Sequence, residues 1–364
     1  MTSIFKRFLR SRSPDKKQAS LEAATHGHDF DDGFGSFPSN YSLCALRSDC
    51  TASFLDDVQV LTRFCVAEQP YWHAFVSHYQ RLGAKRIHAC VQDVSEARWL
   101  ASQESCQSEI PFVVPHLVES GVPPDVALRG FDLSIIRDDA GFTLLVDCDE
   151  FVDCLRPVGS LRSVLDLYPD ADQWYLPWVV RPLLAAHHLG LGGYWGHVGK
   201  PIVRSSAMAT ITNDHRFAVR SPSIPLGTQG LVVIHLWGRS FRDVLIKVFC
   251  NRFEDAKSAD RDCALSLMSQ GVLPIRLRIF AYLELQAGYL PIPEQIGDVV
   301  KGFDHSAEEF LLRDYLAPEQ EAQAHALYLR YKNQLAQHLG GFPAYPAIPL
   351  IQLAELLPAA FGID

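Results

Sequence analysis

The sequence predicts an α/β fold: a mixed, mainly parallel sheet flanked by helices, with a helical region at the C-terminal end. Three observations lead there. Strand and helix patterns alternate from about residue 58, and strand, helix, strand in so short a stretch implies parallel strands joined by right-handed crossovers. Apolar runs recur up to about residue 238, whereas beyond residue 255 the pattern turns Ala/Leu/Glu-rich and helical. The 364 residues, 48% hydrophobic and 21% charged, form an ordinary globular composition long enough to bury a sizeable core.

By pattern the chain divides into a flexible arm over residues 1–40, an α/β domain over 41–255 and a helical region over 256–364. The arm segment "THGHDFDDGFGSFPSN" has no apolar period. "VLTRFCVAE" reads as a buried strand, and Pro70 suits the first turn of the helix after it. In "PYWHAFVSHYQRLGAKR" the residues Trp72, Phe75, Val76, Tyr79 and Leu82 recur at helical spacing, and Gly83 stands where a C-terminal cap belongs. "RIHACVQD" is the second strand, and Ser95 is placed to cap the helix "SEARWLASQ". Further strands are expected at "PFVVPHL", at "FTLLVDCDEFV" as a single run, and at "WYLPWVV", with "SLRSVLDLYP" helical between the last two. The sheet is expected to close near "LVVIHLW". "SFRDVLIKVFCNRF" then opens with Ser240 and Asp243 in a capping-box-like arrangement, and Phe241, Val244, Leu245 and Val248 form one apolar stripe.

Charge and cysteine usage narrow the class. Lysine and arginine number 33 against 42 acidic residues, a net −9, and the first 17 residues carry +5, which leaves −14 for the remainder. A body this acidic repels a phosphate backbone, so nucleic acid is not the expected partner. Phe5, Phe8 and Leu9 among basic residues suit either a short amphipathic helix making a peripheral contact with an anionic membrane or a disordered solubilising tail. No apolar h-region follows the N-terminal charges, so a cleaved secretory signal is not expected, and no run reaches the ~18 residues of a membrane span. Nine cysteines without a CxxC pair or zinc spacing read as reduced thiols. The expected location is cytoplasmic, peripheral at the membrane.

The sharpest chemical feature is "FTLLVDCDEFVD", a hydrophobic strand running straight into Asp147, Asp149 and Glu150. While the strand lasts, Asp147 and Asp149 share a face, and their repulsion calls for a cation; hard divalent ions take such oxygen ligands. A plain surface strand end is the alternative. The DxD copies Asp29/Asp31 and Asp170/Asp172 sit in polar loops and read as solvated turns. His235 interrupts an apolar strand and is followed by Arg239 and Ser240 at a helix start, where a guanidinium and free backbone N–H groups suit a diphosphate. "AAHHLGLGGYWGHVGK", with His187, His188 and His197, reads as a mobile Gly-rich loop, either a gate over an acceptor or an ordinary connection. There is no phosphate-loop order, no GxSxG and no HExxH.

The succession "RFCVAEQPYWHAFVSHYQRLGAKRIHACVQDVS", "FTLLVDCDEFV", "GKPIVRSSAMATITNDHRF" and "VIHLWGRSFRDVLIKV" resembles the glycosyltransferase family 2-like and family 92-like group, over roughly residues 58 to 253. The resemblance implies a GT-A-like fold. It implies that Glu68 and Asp93 contact the nucleotide base and ribose, and that Asp147 and Asp149 hold the nucleotide and a divalent metal, Mn²⁺ or Mg²⁺, with His235 as a further metal ligand. Lys200, Arg204, His215, Arg239, Ser240 and Lys247 fall on the later motifs and are implied nucleotide-sugar contacts. Ala67 replaces the Asn of an "NE" motif, Leu236 the Tyr of "HY" and Arg239 the Lys of "KS".

The reading that follows is a metal-dependent, inverting hexosyltransferase-type enzyme that moves sugar from a nucleotide-diphosphate donor, a UDP-sugar, to a glycan or other hydroxyl acceptor. Glu150 and Asp214 are the candidates for the base that deprotonates the acceptor. Two rivals stand beside it. A degenerate, non-catalytic glycan-binding or scaffold protein fits the altered "NE" and "HY" positions. A metal-dependent nucleotidyltransferase fits the carboxylates but lacks the phosphate loop.

Overall fold

The computed structural model describes residues 52–103, 111–154, 158–182, 193–221, 223–226, 231–250, 261–285, 299–339 and 357. The chain divides into two compact units, Met1–Ser39 and Asn40–Asp364, and the described residues all belong to the second. The basic start, the arm, His187 and His188 lie outside the described residues.

The fold is mixed α/β, built on a nine-stranded sheet. Along the main path the order is β3-β2-β1-β4-β7-β6-β11-β5, with β10 (Ser223–Pro225) also paired to β6. β1 (Val58–Arg63), β2 (Arg86–Val91), β3 (Val113–Leu117) and β4 (Phe142–Leu145) run parallel as one half. In the other half β7 (Gly193–Arg204) is antiparallel to both β4 and β6 (Gln173–Pro182), β11 (Leu231–Gly238) is parallel to β6, and β5 (Glu150–Cys154) closes the edge antiparallel to β11. Parallel pairs are in the majority, as expected, but the sheet's last strand in the chain, β11, is internal rather than terminal. A separate two-stranded ribbon joins β8 (Ile211–Asn213) to β9 (Arg216–Phe217).

The first crossover helix, α1 (Trp72–Arg81), buries Trp72, Phe75 and Tyr79 on one face of the sheet against Val58, Val60, Ile87 and Phe151. Gly83 follows it with φ of +83°, and a Cβ there would stand 2.6 Å from the Ala52 carbonyl oxygen, so the turn back into β2 requires glycine. The strand "VLTRFCVAE" ends at Arg63; Pro70 sits inside a 3-10 turn, Val66–Tyr71, and not in the first turn of α1. Asp93, not Ser95, caps α2 (Val94–Gln103): its Oδ1 accepts from the Ser95 backbone N–H and hydroxyl, both at 2.6 Å. A carboxylate one residue before the first turn outcompetes a hydroxyl already inside it.

Two short helices complete this half, α3 (Pro124–Arg129) and α4 (Leu161–Leu165), the latter capped by Ser160. The remaining helices cover the far end of the sheet. α5 (Phe241–Phe249) is capped by Ser240, whose Oγ accepts from the Asp243 N–H at 2.8 Å, as expected. It is buried on almost every side, because α6 (Arg261–Ser269), α7 (Ile275–Leu285), α8 (His305–Arg313) and α9 (Pro318–Leu339) form a second core with it. α7 is likewise buried on most sides, with Arg276 enclosed among its apolar residues, as in a helix packed within others. At Gly238 a Cβ would overlap the Phe280 ring of α7, so the end of β11 lies directly against this helix.

One cysteine departs from expectation. Cys154, at the end of β5, is disulfide-bonded, its partner outside the described residues, so the all-thiol reading is corrected there. Spacing along a chain does not reveal which distant cysteines meet. Cys65, Cys90, Cys148, Cys250 and Cys263 are free thiols.

Candidate functional site

The run "FTLLVDCDEFV" is two strands, not one. β4 stops at Leu145 and β5 starts at Glu150, so Asp147 and Asp149 lie in the turn between them, where the two-residue strand period no longer applies. The turn holds itself closed: Glu150 N–H donates to the Asp147 carbonyl (3.0 Å), and Asp147 N–H donates to Glu150 Oε2 (2.6 Å). Leu236 N–H donates to the Asp149 carbonyl (2.7 Å), which ties the turn to β11. It sits beyond the carboxyl end of β4, the place where α/β sheets bind ligands.

The two aspartates diverge. Asp147 meets the end of β1 and the middle of β7: Arg63 Nη2 and Nε donate to Oδ1 at 2.7 and 3.1 Å, and Lys200 Nζ donates to Oδ2 at 2.7 Å. β7 runs antiparallel to β4, and with Ile202 opposite Leu144, Lys200 falls beside the turn. Asp149 faces α5 and β11: Lys247 Nζ donates to Oδ2 at 2.7 Å, and His235 Nε2 lies 3.3 Å from the same oxygen. His235 is in register with Glu150 across the β11–β5 pair.

Around Asp149 a buried polar ring extends toward the C-terminal helices. Arg239 donates through Nη1 to Glu68 (2.7 Å) and through Nη2 and Nε to the two oxygens of Asp243 (2.9 and 3.2 Å), and its guanidinium stands 3.4 Å from the centroid of the Tyr71 ring. Tyr71 OH donates to Glu308 Oε1 (2.7 Å), and Ser240 Oγ donates to Glu308 Oε2 (3.1 Å), so α8 reaches the site. On the open side Asp214 lies 3.6 Å from Arg63, and its carbonyl accepts from Lys200 Nζ at 3.1 Å. His215 Nδ1 is 3.1 Å from the Gly199 carbonyl and Nε2 is 3.5 Å from Asp214.

These surroundings set the charges. Burial works to raise Asp147, but Arg63 and Lys200 outweigh it and hold the carboxyl below its usual range. Asp149 likewise: burial opposes ionisation, and Lys247 and His235 prevail, keeping it well below. Glu150 goes the other way, pushed well up by burial and by its two aspartate neighbours, which Lys200 offsets only in part. Burial also raises Glu68 against the pull of Arg239. Burial, with Lys200 beside it, lowers His215 to about 4, which leaves a neutral imidazole at pH 7.

The structure thus gathers Glu68, Asp147, Asp149, Glu150, Lys200, Asp214, His215, His235, Arg239, Ser240 and Lys247 about one turn. It does not bring in Asp93, which caps α2, nor Arg204. Arg204 pairs with Phe142 at the opposite, amino end of β4, lies 3.5 Å from Asp172 and rests over the Phe142 and Trp174 rings. Four residues of extended chain separate it from Lys200, about 13 Å at strand rise. Arg63, Tyr71, Asp243 and Glu308 also belong to the arrangement, and Arg276 lies over the Trp237 ring beside it. Arg63 alone had a local signal, a lone arginine at the end of an apolar strand.

A divalent ion on Asp147, Asp149 and His235 would need their donor atoms turned to one point. As arranged, both oxygens of Asp147 and one of Asp149 are engaged by protein cations on different sides of the turn, and the donor set does not fit the ion. Among the described residues no group of three or more His, Cys, Asp or Glu side chains is arranged to hold a metal. No protein-family model and no curated protein matches the chain.

Proposed function

We propose that the protein is a glycosyltransferase that moves a sugar from a nucleoside diphosphate sugar, a UDP-sugar in the first instance, to a hydroxyl of a glycan or similar acceptor. One observation carries this reading: an acidic turn at the carboxyl end of the parallel strands, faced on its open side by Arg63 and Asp214, with the buried Lys200 paired to Asp147. Arg63 and Lys200 are placed to offset the charge that develops on a leaving diphosphate. Asp214, about a third exposed and beside a neutral His215, serves as the base. The acceptor hydroxyl gives its proton to Asp214 as its oxygen bonds to the anomeric carbon. The bond from that carbon to the diphosphate breaks, its electron pair leaving with the diphosphate, and attack from the opposite side inverts the centre. Glu150 suits a positioning role better than that of base, since it is wholly buried and its Oε2 accepts from the Asp147 backbone.

A second reading, a non-catalytic glycan-binding protein, is favoured by Arg239, which is fully buried with Nε, Nη1 and Nη2 all donating to Glu68 and Asp243. Calorimetric titration against a panel of nucleotide sugars, followed by product analysis, separates the two. Binding with donor turnover is the expected result; binding without turnover favours the second reading, and no binding to any nucleotide sugar overturns the first. Membrane attachment through the basic start is a further expectation, tested by salt-sensitive pelleting with anionic vesicles. No helix among the described residues is long and apolar enough to cross a membrane.

A further inference from the structure

Adjacent carboxylates in a low-dielectric setting repel unless a cation joins them. The fold supplies those cations from the chain. Lys247 Nζ is 2.7 Å from Asp149, Lys200 Nζ is 2.7 Å from Asp147, and Arg63 closes on the other oxygen of Asp147 at 2.7 Å. These are fixed groups. Lys247 is buried in the last turn of α5, its Nζ also donates to the Trp237 carbonyl at 2.6 Å, and Asp243 stands 3.5 Å away. Lys200 is fully buried. For a divalent ion to take Asp149, the ammonium of Lys247 would lose its closest carboxylate while remaining enclosed, and separating a buried pair is costly. The ion would also enter a space that already holds Arg239, Lys247 and Arg276.

We propose that this turn is a metal-free anion-handling site, in which Lys247, Lys200 and Arg63 are the resident cations and a nucleoside diphosphate is bound without a divalent ion. The choice of ligand rests on the glycosyltransferase reading; the cation assignment rests on the geometry alone. Two measurements on the full-length protein test it. Mn²⁺ alone is titrated with the protein and free Mn²⁺ is followed by electron paramagnetic resonance; the expected result is no loss of signal attributable to the turn. A one-equivalent loss that Asp149→Asn removes overturns the proposal. UDP binding is then measured by calorimetry in excess EDTA and in Mn²⁺, and the dissociation constants are expected to agree within about twofold. UDP binding that is tenfold or more tighter with Mn²⁺, about 1.4 kcal/mol, overturns the proposal while leaving the nucleotide reading intact. UDP binding in neither condition removes the nucleotide ligand, and the Mn²⁺ titration still decides whether the resident cations exclude a metal.

Discussion

Asp149 shows how much a single side chain carries here. Removing it leaves Lys247 enclosed among α5, β11 and the C-terminal helices with Asp243 at 3.5 Å as its remaining carboxylate. Breaking one half of a buried ion pair costs about 3–5 kcal/mol. Asp149→Ala is therefore expected to lower the urea midpoint strongly as well as to weaken ligand binding. A variant with unaltered stability would show that Lys247 is not held by this carboxylate. The buried histidines give a second prediction at the same scale. His78 is lowered to about 3 and His88 to about 4, in both chiefly by burial, and His215 to about 4 by burial with Lys200. Each folded value lies below the unfolded one of about 6.5, so the unfolded chain binds more protons between these limits. These three rings should contribute a stability that is level above about pH 7 and falls as the pH drops from about 6.5 toward 4, opposed by Glu150 and Glu68, whose raised values favour the folded chain as the pH falls. Urea unfolding of the protein and of a His88→Gln variant across that range checks it, and an identical pH slope in both would contradict the burial of that ring.

Helix α5 supplies Asp243 and Lys247 to the site and belongs to the second core as well. Ser240 starts it and holds two partners, the Asp243 N–H at 2.8 Å and Glu308 at 3.1 Å. Losing an N-cap hydroxyl costs about 1 kcal/mol, and Glu308 would lose a donor in the same step. Ser240→Ala should lower Tm measurably, and Ser240→Thr should restore most of it. If Thr and Ala behave alike, the hydroxyl is not the group that matters.

Across the whole molecule, the sheet and the C-terminal helices share a site. Arg276 of α7 lies over the Trp237 ring and Glu308 of α8 accepts from Tyr71, while Val244, Leu245 and Val248 of α5 are covered by the helices that follow. A chain ending at residue 255 would expose these apolar groups and leave Ser240 and Tyr71 without Glu308. Such a chain is expected to be insoluble or to lack a cooperative unfolding transition by circular dichroism. A soluble fragment with a sharp transition would show that residues 41–255 stand alone.

What the sequence determined by itself was local and periodic: the alternating strands and helices of the first half, Gly83 at the end of α1, the Ser240 cap, the stripe of α5 and the acidic segment after β4. Each is written in residues a few positions apart, where spacing fixes which side chains share a face. The tertiary structure decided the rest. That "FTLLVDCDEFV" breaks at Leu145, that Asp147 and Asp149 turn to opposite partners, and that Arg204 sits at the wrong end of β4 all depend on strand direction and register. The cations that answer the carboxylates come from β1, β7 and α5, and Glu308 meets Tyr71 across 237 residues of chain. No window of sequence contains such pairs, because their energy is set by distance in space and by burial, and both exist only once the chain has folded.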